Sequence, residues 1–128
     1  MAHVTPLDGT LFGEDQPCFG CGPRHPFGLR LRFEEVGEAL VTRMTPGPQH
    51  QGPLGVMHGG LVTTLADEAA GWAVIAKTGK FGFTTSLQAR LRRPVRIGVE
   101  AECRAWLTKT SPRVVRVAAS VSQGGEEC

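Results

Sequence analysis

A long apolar segment in the middle of the sequence constrains the fold more than any other feature. From Leu61 to Ala76, apolar and small residues recur at three- and four-residue steps, which is the period of an α-helix. The segment is apolar on nearly all sides, so we expect a helix over about residues 59–77, buried in a domain core. Asp67 and Glu68 in its middle argue against a membrane-spanning helix. The polar or small exceptions lie three or four positions apart and predict one stripe: Thr63, Thr64, Asp67, Glu68 and Gly71.

Length and composition indicate one globular domain. The chain has 128 residues, 41% of them hydrophobic and 20% charged, and its net charge of +2 does not by itself indicate a nucleic-acid partner. Residues 1–12 contain no apolar run of the kind found in signal peptides, so we expect a cytoplasmic protein. In that compartment cysteines are expected to be reduced thiols, which here are Cys18, Cys21, Cys103 and Cys128.

Alternating apolar and polar residues predict five strands, two before the helix and three after it. The first two, residues 29–34 and 39–45, are separated by a glycine-containing turn and predict a hairpin. The last three are separated by prolines, which are favoured at strand ends: residues 83–93, 100–110 and 113–122. This order favours an α+β fold, an antiparallel sheet curled round one central helix. We expect an irregular N-terminal lead-in over residues 1–17 and a single domain over residues 18–128.

The residues at the start of the helix resemble a known family. His58-Gly59-Gly60, followed by Asp67 nine residues after the histidine, is similar to the pattern of PaaI-like hotdog-fold acyl-CoA thioesterases. Two further stretches support the resemblance: Cys18-Phe19-Gly20-Cys21-Gly22 with His25-Pro26-Phe27-Gly28-Leu29 upstream, and Arg92-Arg93-Pro94-Val95-Arg96 downstream. The resemblance implies a hotdog fold, in which an antiparallel sheet wraps one long helix, and hydrolysis of an acyl-coenzyme A to free acid and CoA. That chemistry requires no metal or redox cofactor, and CoA is present only as part of the substrate.

Two features depart from the family's pattern. Several relatives carry a water-holding asparagine about six residues before the histidine; the sequence has Gly52 there, beside Gln51, which we expect to replace the asparagine. Relatives usually have one more strand after the last valine-rich one, whereas this sequence ends with residues 124–128. We therefore expect the final strand to be absent or shortened.

The start of the predicted helix can stabilise a developing negative charge. Its first amides have no intrahelical acceptors, and the helix dipole adds positive charge there. Gly59 and Gly60 lack side chains, so a carbonyl oxygen can approach these amides closely. This is the requirement for an oxyanion hole, and the resemblance points to the Gly59 N–H, with Gly60 beside the substrate. The alternative is that the two glycines only permit a tight turn into the helix.

Asp67 is the acid that we expect to activate water or to attack the thioester directly. It lies eight residues beyond Gly59, which is ~12 Å along a helix. One subunit therefore cannot easily bring both groups to one carbonyl, whereas a two-fold dimer can. The resemblance implies a homodimer, or a dimer of dimers, with the site at the subunit interface. Glu68 is our second candidate, beside the substrate; for both acids, a solvated polar stripe is the alternative.

Weaker signals add further residues to the site. His58 can orient the loop or contact the substrate, although a histidine before a helix is more often structural. Thr84 and Thr85 match the place where relatives position a hydroxyl near the attacking water. Arg93 and Arg96 belong to a basic run that can bind the phosphates of CoA, or that forms a solvated strand face.

The Cys18-x-x-Cys21 pair raises the possibility of a zinc site. A structural zinc ion needs four ligands, and the second Cys pair is absent, although Cys103 or Cys128 can contribute. A thioredoxin-like redox pair requires a different setting from the Gly-Pro that follows Cys21. We therefore expect a turn that packs over the sheet and no metal.

The sequence thus predicts an acyl-CoA thioesterase that binds neither nucleic acid nor membrane. Three alternatives remain. A dehydratase or hydratase acting on acyl thioesters would pair His58 with the acid. A non-catalytic acyl-CoA binding protein or sensor would bind without turnover, and a small zinc-bearing interaction module would bind metal.

Overall fold

The computed structural model describes residues 5–128, so the first four residues of the predicted lead-in lie outside the described part of the chain. Five strands form one antiparallel sheet in the order β1-β2-β3-β4-β5, and one long helix, α1, packs across β2, β3 and β4. The predicted arrangement of an antiparallel sheet with a single helix is confirmed. The elements are β1 (Glu34–Val36), β2 (Ala39–Met44), α1 (Gly59–Thr78), β3 (Ala101–Thr110), β4 (Val115–Gln123) and β5 (Glu126–Glu127), with short 3-10 helices at Gly9–Phe12 and Pro48–His50.

The helix ends one residue beyond the predicted range, and both of its ends are capped. At its start, the His58 side chain accepts a hydrogen bond from the Gly60 amide. At its end, Gly79 has a φ of +71° and donates its amide to the Ile75 carbonyl, a conformation that favours glycine. None of the helices in residues 5–128 combines the length and apolar character that a membrane crossing requires.

Small residues on β3 allow α1 to lie close to the sheet. Every second residue at the start of this strand is fully buried in the core that the sheet shares with α1: Ala101, Cys103 and Ala105. Trp72 of α1 stacks on Phe33 with the ring centroids 5.4 Å apart, which closes the core beside the first hairpin. The buried residues of the helix recur at its period: Val62, Leu65, Ala69, Trp72, Ala73, Ile75 and Ala76.

The first hairpin is confirmed, but its first strand begins later than predicted. Leu29, Leu31 and Phe33 are buried as the alternation predicts. The amides of Leu29 and Leu31 nevertheless donate to carbonyls of the turn at residues 19–20, not to a neighbouring strand, and the amide of Phe33 donates to the Leu7 carbonyl. The regular ladder therefore starts only at β1, where the two strands face each other directly.

The predicted strand over residues 83–93 is wrong. The backbone amides and carbonyls of residues 80–91 form no backbone–backbone hydrogen bonds with any other described residue. A cavity separates this segment from β4, and only at its end do the Arg92 and Arg93 amides donate to the Cys128 carbonyl. Because a strand exists only beside a neighbouring strand, alternation alone does not produce one here.

Candidate active site

The start of α1 presents one backbone amide without an acceptor. The Gly60 amide donates to Nδ1 of His58 at 3.0 Å, and the Leu61 amide donates to the His58 carbonyl at 2.8 Å. The amide of His58 itself donates to the His50 carbonyl. Within residues 5–128, the Gly59 amide is therefore the one at this helix start that has no acceptor. Gly59, which the sequence predicts as the oxyanion donor, carries the free amide, whereas the Gly60 amide is already engaged.

His50 fixes the loop that leads into this helix start. Its side chain is buried, with 3% of the residue exposed, and Nδ1 accepts a hydrogen bond from the Gly47 amide at 3.0 Å. Nε2 therefore carries the proton and donates to the Phe27 carbonyl at 3.2 Å. Sequence reasoning missed His50 because it lies in a proline- and glycine-rich loop where no periodic pattern indicates burial.

Asp67 accepts a hydrogen bond from the Thr84 hydroxyl, which lies 2.6 Å from its Oδ1. Asp67 is partly buried on α1, and Thr84 is exposed on the unpaired segment after the helix. The structure thus brings together two residues that the sequence predicts for the site. A fixed donor on one carboxylate oxygen orients the other oxygen for a water molecule or a carbonyl carbon.

A cavity of about 670 Å³ lies beside this pair. Thr63, Asp67 and Gly71 of α1 line it, and Thr84 and Thr85 of the segment after the helix line it as well. Its size falls within the range of small-molecule binding sites, and its lining is mixed polar and apolar. Thr64 and Glu68 do not line the cavity, so the predicted single stripe is divided between two faces of the helix.

Gly59 and Asp67 remain apart on the same helix. Eight residues of helical rise place them ~12 Å from each other. A side chain at Gly59 would meet Leu91 Cδ1 at 3.2 Å, so the free amide lies near the end of the unpaired segment. The structure of one chain therefore contains both predicted catalytic groups without bringing them to one point.

The remaining predicted residues lie around this region with other contacts. Gln51 uses both ends of its amide within its own loop, where it accepts from the Gly55 amide and donates to the Pro48 carbonyl. Arg93 forms an ion pair with Glu126. Arg96 is exposed and is absent from the ion pairs of residues 5–128.

Glu68 points away from the cavity, towards the turn that contains Cys18 and Cys21. The Cys18 thiol donates a hydrogen bond to Oε1 of Glu68 at 3.0 Å. Burial raises the pKa of the Cys18 thiol to about 12, and the Glu68 contact adds to this effect. Burial also raises the pKa of Glu68, and the charge of Asp67 adds to it, whereas the hydrogen bond from Cys18 opposes it. The sulfur atoms of both cysteines and a Glu68 oxygen lie within 4.8 Å of one another, a set of atoms that can hold a metal ion.

Solved structures establish the fold. A thioesterase superfamily protein superposes with a TM-score of 0.80 at 25% identity, over 88% of this chain and 58% of that one. A phenylacetic acid degradation-related protein from Ralstonia eutropha JMP134 superposes with a TM-score of 0.70 at 23% identity, over 77% and 78% of the two chains. Thioesterase superfamily member 2 of zebra fish superposes with a TM-score of 0.72 at 18% sequence identity, over 82% of each chain. The predicted hotdog fold is therefore confirmed, and the chain spans a little over half the length of the first of these proteins.

Sequence comparison identifies the family. None of the curated proteins compared with the chain matches it. The sequence profile of the Thioesterase superfamily matches residues 54–128, which is more than half of the chain and includes α1 with its free Gly59 amide and Asp67. The match agrees with the resemblance that the His58-Gly59-Gly60 motif indicates. This chain belongs to the thioesterase superfamily.

Proposed function

We propose that this protein hydrolyses acyl-CoA thioesters. The observation that supports this most directly is that α1 carries both a free amide at its start, Gly59, and a carboxylate, Asp67, that a hydroxyl holds beside a ligand-sized cavity. Thioester hydrolysis needs these two functions, a donor for the oxyanion and a carboxylate for the nucleophilic step.

In the proposed reaction, the thioester carbonyl oxygen lies against the Gly59 amide. Asp67 takes a proton from a water molecule that attacks the carbonyl carbon, or its own oxygen attacks that carbon. The tetrahedral intermediate then expels the CoA thiolate, which takes up the proton that Asp67 removed from the water. After direct attack, expulsion of the thiolate instead leaves a mixed anhydride on Asp67, and a water molecule hydrolyses this anhydride to the free acid and the regenerated Asp67 carboxylate while the thiolate takes up a proton. Thr84 donates to Asp67 throughout and keeps the carboxylate in position. An oxyanion donor of this kind typically lowers the barrier by about 3 kcal/mol.

A homodimer supplies the complete site in this proposal. Gly59 of one protomer faces Asp67 of the other, because the ~12 Å between them on one helix is too long for one carbonyl. The backbone groups of residues 81–91, which form no backbone–backbone hydrogen bonds among residues 5–128, are available for a partner. Arg93 and Arg96 are the basic groups proposed for the CoA phosphates, and Arg96 forms no ion pair among the described residues.

The direct experiment measures thiol release from a panel of short, long and aryl acyl-CoAs. Wild type should turn over at least one member, and Asp67→Ala and Asp67→Asn should lose about 10²- to 10⁴-fold in kcat while they still bind acyl-CoA. Wild-type turnover in both variants would show that the assignment of Asp67 is wrong. An acyl-CoA that raises the Tm of the wild type without any turnover would instead favour a non-catalytic binding protein.

A complementation experiment tests the shared site. Asp67→Asn and Gly59→Val should each be inactive alone, because each removes one half of every site. After equal amounts are mixed and the subunits exchange, half of the dimers are mixed and each of these contains one intact site, so about a quarter of the wild-type activity should return. Mixed dimers that form but remain inactive would contradict a site built from Gly59 and Asp67 of different chains.

A further inference from the structure

The turn at residues 18–22 presents two thiols on one side, facing the middle of α1. The Gly22 amide donates to the Cys18 carbonyl at 2.8 Å and closes this turn. The Gln16 side chain stabilises the turn with two hydrogen bonds, since its Oε1 accepts from the Cys18 amide and its Nε2 donates to the Cys21 sulfur. Cys21 is buried and Cys18 is partly buried, so neither sulfur is a freely exposed thiol.

The helix contributes a carboxylate to the same point. Glu68 is partly buried, and its Oε1 lies 3.0 Å from the Cys18 sulfur. None of the ion pairs among residues 5–128 includes Glu68, and its one hydrogen-bond partner there is a thiol, which is a weak donor. A partly buried carboxylate normally has a cation or several strong donors beside it, and the described protein supplies neither.

We propose that Cys18, Cys21 and Glu68 bind one zinc ion that fastens the N-terminal turn to α1. Zinc accepts thiolate and carboxylate ligands at about 2.3 Å and 2.1 Å, so two ligand atoms of one tetrahedral ion lie about 3.6–3.8 Å apart. The three ligand atoms lie within 4.8 Å of one another, and the Cys18 sulfur lies 3.0 Å from the Glu68 oxygen, so side-chain shifts of about 1 Å bring them to these separations. The ion displaces the two thiol protons into solvent and becomes the partner of the carboxylate, and a water molecule takes the position that a fully protein-ligated site gives to a fourth side chain.

This ligand set differs from the one that the cysteine spacing suggests, in which Cys103 or Cys128 joins Cys18 and Cys21. Cys103 lies on β3 and Cys128 follows β5, and neither joins the cluster. The third ligand comes instead from a helix residue fifty positions along the chain from Cys18, which no local spacing indicates. The proposed zinc site stands independently of the proposed thioesterase activity.

The test is zinc binding by the full chain after treatment with a chelator and a reductant. Titration against a chromogenic zinc indicator should show one equivalent per chain, and zinc should raise the Tm of the wild type. Cys18→Ser, Cys21→Ser and Glu68→Gln should each weaken binding by more than about tenfold. Cys128→Ser and Glu100→Gln, which change the same residue types outside the cluster, should bind as the wild type does.

Cobalt provides a measurement that does not depend on the variants. Cobalt bound to the wild type should give thiolate-to-metal absorption and the visible bands of a four-coordinate ion. The proposal is overturned if the folded wild type binds less than half an equivalent of zinc, or if bound cobalt shows no thiolate absorption. It is also overturned if Cys18→Ser and Cys21→Ser both bind zinc as tightly as the wild type, or if Cys128→Ser loses binding to the same extent as they do.

Discussion

The Thr84 hydroxyl donates a hydrogen bond to Oδ1 of Asp67 at 2.6 Å, and this contact joins the unpaired segment to the central helix. Since residues 80–91 form no backbone–backbone hydrogen bonds with other described residues, side-chain contacts hold them in place. The contact therefore couples the position of the segment to the orientation of the proposed catalytic carboxylate.

Thr84→Val should reduce turnover without unfolding the protein. The substitution keeps the shape of the side chain and removes a hydrogen bond to a charged group, which is typically worth about 1.5–3 kcal/mol. If that interaction acts in the transition state, kcat/KM should fall by about 10- to 100-fold. Thr108→Val, the same change at an exposed position of β3 outside the cavity, is the control. Equal activity of the two variants would show that the hydroxyl does not support catalysis.

Gly59→Ala should lower turnover while the protein remains stably folded. A methyl group at Gly59 would lie 3.2 Å from Leu91 Cδ1 and would crowd the approach to the free amide. Gly71→Ala, at a helical position with nothing within 4 Å, should raise the free energy of unfolding by up to about 1 kcal/mol. Thermal unfolding and thiol release of both variants test this. Unchanged turnover in Gly59→Ala would argue against close approach of the substrate at that amide.

The helix and the groups at its start could be predicted because periodicity and capping act locally. The apolar period fixed α1 to within one residue, and the glycines after His58 indicated a free amide. The direction of Glu68 could not be predicted in this way. Adjacent helical residues point about 100° apart, so Asp67 and Glu68 face different neighbours, and the neighbour of Glu68 is distant in sequence.

The segment after the helix shows where a local pattern fails to predict the structure. Its alternation is as regular as that of β3, and the sequence therefore predicts a strand at residues 83–93. A strand also needs a neighbour at hydrogen-bonding distance, and in the single chain a cavity occupies that place. Alternation in the sequence indicates which side chains share a face of the chain. It does not indicate whether a neighbouring strand is available for backbone hydrogen bonds.

His50→Ala should destabilise the loop that leads into α1. The change removes a buried side chain and leaves the Gly47 amide and the Phe27 carbonyl without their partner at a part-buried site. We expect a loss of about 1–3 kcal/mol in the free energy of unfolding, measured by chemical denaturation. Gln49→Ala, on the same 3-10 helix but exposed, should change it by less than about 0.5 kcal/mol. Equal stability of the two variants would mean that the His50 hydrogen bonds are dispensable.

Cys103 should resist alkylation in the folded protein. Burial raises the pKa of this thiol to about 12, and the charge of Glu102 adds to the effect. At pH 8 the thiolate fraction is then on the order of 10⁻⁴, and the sulfur is also inaccessible. Mass spectrometry after brief iodoacetamide treatment should find Cys103 modified only when denaturant is present. Modification at the same rate in the native protein would show that β3 opens readily.

Gly20→Ala should disturb the contact between the N-terminal turn and the helix. A Cβ at Gly20 would overlap the side chain of Glu68, so either the turn or the carboxylate must move. Overpacking of this kind typically costs about 1–3 kcal/mol. Gly82→Ala adds the same methyl group where nothing lies within 4 Å and should leave the free energy of unfolding nearly unchanged. Because Glu68 can yield only by leaving Cys18, Gly20→Ala should also weaken zinc binding, whereas Gly82→Ala should not. Full stability together with full zinc affinity in Gly20→Ala would mean that the turn is not packed on Glu68.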